Sequence, residues 1–295
     1  MQEITITPLN ANQRLDKFVL RQLGKPPKSF VQKMLRKKNI TVNGAKAEGA
    51  FVLSVGDIVK IYISPETQAK FAAPAKTFPA GEIDIVYEDG GIILLNKPSN
   101  LLTQPDTAGG DSLIGRVANY ASTGDFAPVA INRLDKNTTG LVVCAKNLPA
   151  AQHLSKLMHD RKIQKVYLGV AHGEILNEMT LEGFHTKDSN KNIAKISTSH
   201  KTNAKKVLTQ IVPLDYDAAK NVTMLKIHLH TGRSHQIRAH LHSISRPLMG
   251  DAKYGGKGAG RQMLHAYQII FDGKTFTADL PQDMSVYFNG INLQK

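Results

Sequence analysis

A single cysteine among 295 residues means that no disulfide can close within this chain. Cys144 lies in the apolar run Leu141, Val142, Val143, Cys144, Ala145, where a buried, inert thiol is expected rather than a nucleophile. A reducing cytoplasm is the compartment that fits. Long hydrophobic runs are also lacking. Nothing approaches the ~18 apolar residues of a membrane span, and the opening Met1-Gln2-Glu3-Ile4-Thr5 has no basic-then-apolar secretory pattern. No phosphate-cradling glycine loop is present. Gly255, Gly256, Gly258 and Gly260 fit neither Gly-x-x-x-x-Gly-Lys-Ser/Thr nor Gly-x-Gly-x-x-Gly, and they read as a mobile loop. His228, His230, His235, His240, His242 and His265 invite a metal reading, but no cysteine or carboxylate stands near them at ligand spacing. Neither a metal nor a cofactor is expected.

Acidic residues are scarce: 24 Asp+Glu against 38 Lys+Arg leave a formal charge of +14. The imbalance is concentrated, since residues 1–80 contain 13 Lys+Arg and only 5 Asp+Glu. A small segment this basic points to a polyanion, and nucleic acid is the first candidate. The remaining composition, 41% hydrophobic and 21% charged, is that of a globular protein able to bury a core.

Within the basic segment, Asn12 can cap a helix that places Leu15, Phe18, Val19 and Leu23 on one face before Gly24. Pro26 and Pro27 forbid its continuation. Ser29 with Gln32 predicts a capping box opening a second helix. Its Phe30, Val31, Met34 and Leu35 face inward, leaving Lys28, Lys33, Arg36, Lys37 and Lys38 as a basic ridge suited to phosphates. Ile40, Thr41 and Val42 lead into the tight-turn pair Asn43-Gly44, and residues 52–63 supply another strand region. Residues 66–80, with Pro65 before them and Pro74 and Pro79 within, read as a linker. The expected organisation is a small α/β nucleic-acid-binding domain over 1–65, a linker over 66–80 and a larger domain over 81–295.

In that larger domain short apolar runs recur at 83–87, 92–95, 129–131, 141–145, 166–170, 207–212 and 224–229. Two or three helices interrupt them, the clearest at 149–161 behind Asn147. The spacing suits an α+β domain with a largely antiparallel sheet flanked by helices. Between two runs, Arg133-Leu134-Asp135 precedes Thr138, Thr139 and Gly140. A loop carrying an acid beside a fixed cation is a common way to hold a reactive carboxylate, although Asp and Thr also simply shape turns. Alternation along 165–170 places Lys165, Tyr167 and Gly169 on one strand face. Thr231, Gly232, Arg233, Ser234 and His235 form a turn into a helix carrying Gln236, Arg238 and His242, where the helix start and Arg233 could receive a phosphate.

Taken in order, these motifs resemble the RluA/RluD-type RNA pseudouridine synthase family. The matching residues are Asn96-Lys97-Pro98-Ser99, Arg133-Leu134-Asp135 with Thr138-Thr139-Gly140, Lys165-Val166-Tyr167, the run from Thr231 to Arg238, Gly250-Asp251 with Tyr254-Gly255, and Leu264-His265-Ala266. Residues 12–63 resemble the small RNA-binding domain of a small-subunit ribosomal protein, through Arg14-Leu15-Asp16-Lys17, the basic second helix, Val42-Asn43-Gly44 and Val55-Gly56-Asp57-Ile58-Val59.

The resemblance implies a pseudouridine synthase fold acting on a uridine flipped out of structured RNA, without cofactor. Ribosomal RNA is the expected substrate and transfer RNA the other candidate. Asp135 is then the catalytic carboxylate, as nucleophile or as base on the sugar. Tyr167 packs on the target base and can assist proton removal, and Arg238, with Arg233 in reserve, pairs with Asp135. Arg133 fills the space the base vacates, and His235 and Gln236 join the RNA contacts. Asn132 stands where the family more often has His, and Asn100 where it often has Gly. A cytoplasmic monomer is expected. The competing readings are a non-catalytic RNA-binding or ribosome-assembly protein that keeps the fold, and a nucleoside N-glycosylase that releases free uracil.

Overall fold

The computed structural model describes residues 1–24, 26–71, 81–106, 109–121, 126–188, 192–199, 204–258 and 260–293. It divides into two compact units, the first chiefly Met1–Thr77 and the second Phe78–Ser122, Ala127–Lys146 and Ala150–Lys295.

The first unit contains β1 (Gln2–Thr5), α1 (Leu15–Gln22), α2 (Lys28–Arg36), β2 (Ile40–Val42), β3 (Ala45–Lys46), β4 (Ile58–Ile61) and α3 (Pro65–Ala69). Its sheet runs β1-β4-β2-β3 and is antiparallel throughout. Leu15, Phe18 and Val19 of α1 meet Val31, Met34 and Leu35 of α2 over Ile40, Val42, Val59 and Ile61, as the apolar spacing predicts. Phe30 is only half-buried and packs against Phe71 with ring centroids 4.7 Å apart. Both expected caps are displaced. Arg14 rather than Asn12 occupies the α1 N-cap position, and α2 starts at Lys28 behind Pro27, so Ser29 lies inside the helix. Proline fixes the backbone angle there without a side-chain cap. Part of the expected linker is ordered: Ser64 caps α3 by accepting from the Thr67 N–H at 3.2 Å. Residues 72–80 of that linker lie outside the described residues.

The second unit adds β5 (Ile85–Glu88), β6 (Ile92–Lys97), α4 (Leu113–Ala121), β7 (Val129–Ala130), β8 (Thr139–Ala145), α5 (Leu148–His159), β9 (Gln164–His172), β10 (Met179–Asp188), β11 (Ile193–Ser197), β12 (Lys205–Asp217), β13 (Val222–Leu229), α6 (Gln236–Ser243), β14 (Leu264–Phe271), β15 (Lys274–Thr277) and α7 (Gln282–Phe288). The sheet order is β11-β10-β12-β13-β9-β14-β8-β6-β5, with β15 beside β14 and β7 beside β8. Among the described strands only β14 and β8 pair in parallel, through His265 with Thr139 and Ala266 with Gly140. An α+β domain with a mixed, largely antiparallel sheet is therefore observed, carrying four helices among the described residues rather than two or three.

Helices cover both faces, and β8 shows why. Its alternate residues Val142 and Cys144 join a core with Leu113 and Val117 of α4 and Ile237 and Leu241 of α6. Leu141, Val143 and Ala145 join another with Leu154 of α5. Burying each of the larger aliphatic side chains contributes about 1.5–3 kcal/mol. Burial pushes the Cys144 thiol up to about 12, so it stays protonated. The same two-sided burial changes the picture of β9: Tyr167 belongs to the first core while Leu168 and Val170 pack against Met284 and Phe288 of α7.

Two glycines let the chain reach the site. Gly140 has φ +106°, and a Cβ there would lie 2.2 Å from the Ala266 carbonyl oxygen across the parallel pair. Gly250 has φ +74°, and its Cβ would lie 2.1 Å from the Arg261 carbonyl oxygen. The glycine stretch expected to be mobile is held where it is described: Gly256 N–H donates to the Asp251 carbonyl at 2.9 Å, and Lys257 N–H to His172 at 3.0 Å. Ala259 of that stretch is outside the described residues.

Candidate active site

The loop between β7 and β8 presents Asp135 to a cleft of about 850 Å³ whose walls include Tyr167, Lys165, Arg133, Arg233, His235 and Arg238. That volume is in the range of small-molecule and cofactor sites. The loop is held at nearly every residue. Thr103 Oγ1 donates to the Leu134 carbonyl at 3.0 Å and accepts from the Leu134 N–H at 3.1 Å. Lys97 Nζ donates to the Lys136 carbonyl at 2.9 Å, and Arg261 Nη1 lies 3.4 Å from the Asn137 carbonyl. Gln262 Nε2 donates to Thr138 Oγ1 at 3.2 Å. A carboxylate on so restrained a loop has little room to reorganise.

Asp135 keeps 26% of its side chain exposed and accepts from Arg238 Nη1 at 2.8 Å. Arg238 is buried, and its other edge is fixed by Asp251: Nε to Oδ2 at 2.7 Å and Nη2 to Oδ1 at 2.8 Å. The Tyr254 ring lies beneath the guanidinium, with its centroid 4.9 Å away. Burial opposes this charge, but the hydrogen bonds and charges of Asp251 and Asp135 more than offset it and raise the Arg238 pKa above its ordinary value. Arg233 instead stands exposed at the cleft, so Arg238 is the arginine that reaches the acid.

His235 Nε2 lies 3.8 Å from Asp135 Oδ1. Burial pushes the imidazole pKa down against the pull of Asp135, so at neutral pH this is a contact between neutral ring and carboxylate. Tyr254 Oη accepts from the Ala194 N–H at 2.8 Å and stands 3.1 Å from His235 Nδ1. That arrangement assigns the tyrosine as donor to Nδ1 and leaves the ring N–H on Nε2.

Tyr167 is buried in the cleft wall. Burial first, and the Asp135 charge second, raise its hydroxyl pKa above the ordinary tyrosine value. Both effects favour the neutral phenol over the phenolate. Gln236 is not at the surface. Its Nε2 donates to the Leu208 carbonyl at 3.1 Å and to Thr209 Oγ1 at 2.9 Å, while Oε1 accepts from Thr231 Oγ1 and the Arg233 N–H. His235 adopts a left-handed backbone (φ 56°) just before α6, which turns the next side chain inward. The helix start thus offers less to an anion than the motif suggests.

Arg133 is exposed at the cleft, as are Lys136, Lys187 and Lys253. Lys28, Lys33, Arg36, Lys37 and Lys38 are exposed on and after α2 of the first unit. Asn132 ties β8 by donating to the Leu141 carbonyl at 3.0 Å and accepting from the Val143 N–H at 2.8 Å. Asn100 has φ 62°, a conformation that glycine adopts freely and asparagine tolerates.

Lys97, Asp251, Tyr254 and Arg261 were given no role by sequence reasoning, although the first three fall within quoted motifs. Lys97 is fully buried and donates to the carbonyls of Pro98, Leu101 and Lys136 at 2.8–2.9 Å. Burial lowers its pKa to about 7, with Asp135 opposing and Arg261 adding to the shift. Among the described residues, no group of three or more His, Cys, Asp or Glu could hold a metal ion, and no helix is long and apolar enough to cross a membrane.

The fold is thus a mixed sheet covered by helices on both faces, and its cleft holds one acid paired to an arginine that a second acid braces. The RNA pseudouridylate synthase profile matches residues 91–243 and the S4 domain profile residues 13–59. The chain is 30% identical over 295 residues to ribosomal large subunit pseudouridine synthase C of Rickettsia bellii, covering 94% of this chain and 96% of that protein. It is 26% identical over 314 residues to the protein of the same name from Haemophilus influenzae, covering 99% and 95%. The solved structure of human RNA pseudouridylate synthase domain containing 1 matches in fold with TM-score 0.57 at 24% identity, over 69% of this chain and 86% of that one. The chain belongs to the RNA pseudouridylate synthase family and carries an S4 domain at its N-terminal side. It is an RNA pseudouridine synthase.

Proposed function

We propose that this chain converts specific uridines of large-subunit ribosomal RNA to pseudouridine, with Asp135 as the reacting carboxylate. The observation that carries the reading is the Asp135–Arg238–Asp251 chain of hydrogen bonds at the cleft. It holds one carboxylate in a fixed position, aimed where a flipped base would lie beside Tyr167. The names of the full-length relatives support ribosomal RNA over transfer RNA.

The reaction breaks the N1–C1′ bond of uridine, rotates the uracil and forms a C5–C1′ bond. Asp135 can attack C1′ and later be displaced by C5, or remove a proton from the sugar to expel the base. In either case N1 ends with a proton and C5 loses one. A neutral Tyr167 supplies a stacking face, so the C5 proton passes to Asp135 or to water. Protein groups alone carry the scheme, with no cofactor in it.

The exposed Lys28, Lys33, Arg36, Lys37 and Lys38 of the S4 domain would contact phosphates and anchor the RNA. In this reading residues 1–65 form the RNA-binding domain, 66–80 the linker and 81–295 the catalytic domain. The proposed form is a monomer working in the cytoplasm, where ribosomes are made.

Pseudouridine mapping of total RNA from cells with and without the gene, with an Asp135→Asn rescue alongside, tests the reading. Sites that vanish in the knockout and return only with intact Asp135 are expected. Sites unchanged in every strain would favour the binding-protein alternative, and release of free uracil the glycosylase.

A further inference from the structure

Lys165 is 8% exposed and lines the same cleft as Asp135, yet it takes no part in the scheme above. Its ammonium forms no ion pair among the described residues. The one polar contact there is the Met158 thioether, 3.9 Å away and a weak acceptor. Asp135 is engaged by Arg238 and Asp251 is committed to the same guanidinium, so neither neutralises it. Burial accordingly lowers the Lys165 pKa. An ammonium that is both desolvated and unpaired costs stability, and a chain that retains one at a binding cleft has a use for the charge.

Its surroundings fit an anion. A Cβ on Gly232 would lie 3.6 Å from Lys165 Nζ, so the glycine leaves open space beside the ammonium. Arg233, exposed at the cleft, follows in the chain. Lys165 and Tyr167 lie two residues apart on the same face of β9, separated by about 7 Å along the strand. A base stacked on Tyr167 would therefore place its own sugar–phosphate backbone within reach of this position.

Resting on the reading that the cleft takes a flipped uridine, we propose that Lys165, with the space beside Gly232, is a preformed site for an RNA backbone phosphate adjoining the target nucleotide. The site fixes where the flipped nucleotide's backbone sits relative to Asp135. It is distinct in kind from the exposed cations, because its charge is already stripped of water before RNA arrives.

The test is Lys165→Met, with RNA affinity measured against KCl concentration on unmodified large-subunit ribosomal RNA transcripts. It is repeated on a hairpin carrying one mapped target uridine, with a neutral methylphosphonate at each flanking phosphate in turn. The expected results are a roughly tenfold loss of affinity and a salt slope shallower by about 0.7, one single-strand phosphate contact. One methylphosphonate position should weaken wild type and leave Lys165→Met unaffected. Removing an unpaired buried charge should also leave the melting temperature equal or higher, which separates the effect from misfolding. An unchanged salt slope, or methylphosphonate penalties that persist in full in the variant, overturns the phosphate site and points instead to a neutral base carbonyl. If no pseudouridine is made by the wild type but the slope still falls, the functional reading fails and the phosphate site stands.

Discussion

Asp251 holds Arg238 through two near-parallel hydrogen bonds of 2.7 and 2.8 Å, leaving Nη1 free to reach Asp135. The two acids thus grip one guanidinium from different edges, and only arginine has the donors for both. Arg238→Lys should lose the grip on one carboxylate, and Asp251→Asn should let the arginine drift. For Asp251→Asn, turnover should fall about 100-fold or more, the cost of a misplacement near 1 Å. RNA affinity should be largely kept, as single-turnover kinetics beside a filter-binding assay would show. Loss of one partner from a buried pair should also cost about 3–5 kcal/mol of stability. A fully active Asp251→Asn would refute the bracing role.

Lys97 makes a pH-dependent prediction. Its folded pKa lies near 7 against an unfolded value near 10.5, so between these pH values the unfolded chain binds more protons. Stability contributed at this position therefore rises with pH across that window, as the cost of a buried ammonium is relieved. Lys97→Met lacks the ionisation, so the stability gap between wild type and variant should widen from pH 6.5 to pH 9.5. Denaturant titrations at several pH values check the sign. A gap that stays constant would mean the three carbonyl acceptors keep the ammonium charged throughout. Turnover of the variant should fall at every pH, since the Lys136 carbonyl next to Asp135 loses its donor.

Tyr167 is held protonated by burial and by the Asp135 charge. Tyr167→Phe should retain RNA affinity through the stacking face, whereas Tyr167→Ala should lose it. The pH–rate profile of Tyr167→Phe should keep the shape of the wild-type profile between pH 6 and pH 9, whatever its height. An alkaline limb present only in wild type would identify the phenol as an ionising catalytic group.

What could be read beforehand follows from which contacts are local. β6, β8, β9 and β13 declare themselves because strands covered on both faces are continuous apolar runs. β10 and the edge strand β11 interleave Glu182, Lys187 and Lys195 with their apolar residues, and their pattern hides among polar loops. Asp135 and its partner Arg238 were legible through motif order. Asp251 and Lys97 lay inside motifs without a role, because their targets are set by the crossing of chain segments and not by spacing. His235 and Gln236 show the limit most clearly. Neighbours in sequence, they diverge because one left-handed residue sends the second side chain inward.

Arg261 tests whether the loop is positioned from outside the cleft. Its Nε and Nη2 pair with Asp283 of α7 at 2.8 and 2.9 Å, while Nη1 donates to the Gln262 and Leu264 carbonyls and faces that of Asn137. The guanidinium thus links a helix that bears no cleft residue to the loop two positions beyond Asp135. Asp283 is itself 42% exposed, so Asp283→Asn should cost only about 1 kcal/mol of stability. It should nevertheless lower turnover several-fold while KM holds, because the loop loses part of its register. Pairing Asp283→Asn with Lys97→Met should give losses that fail to add, since they act on the adjacent carbonyls of Asn137 and Lys136. Additive effects would mean that the helix stabilises the domain without positioning the acid.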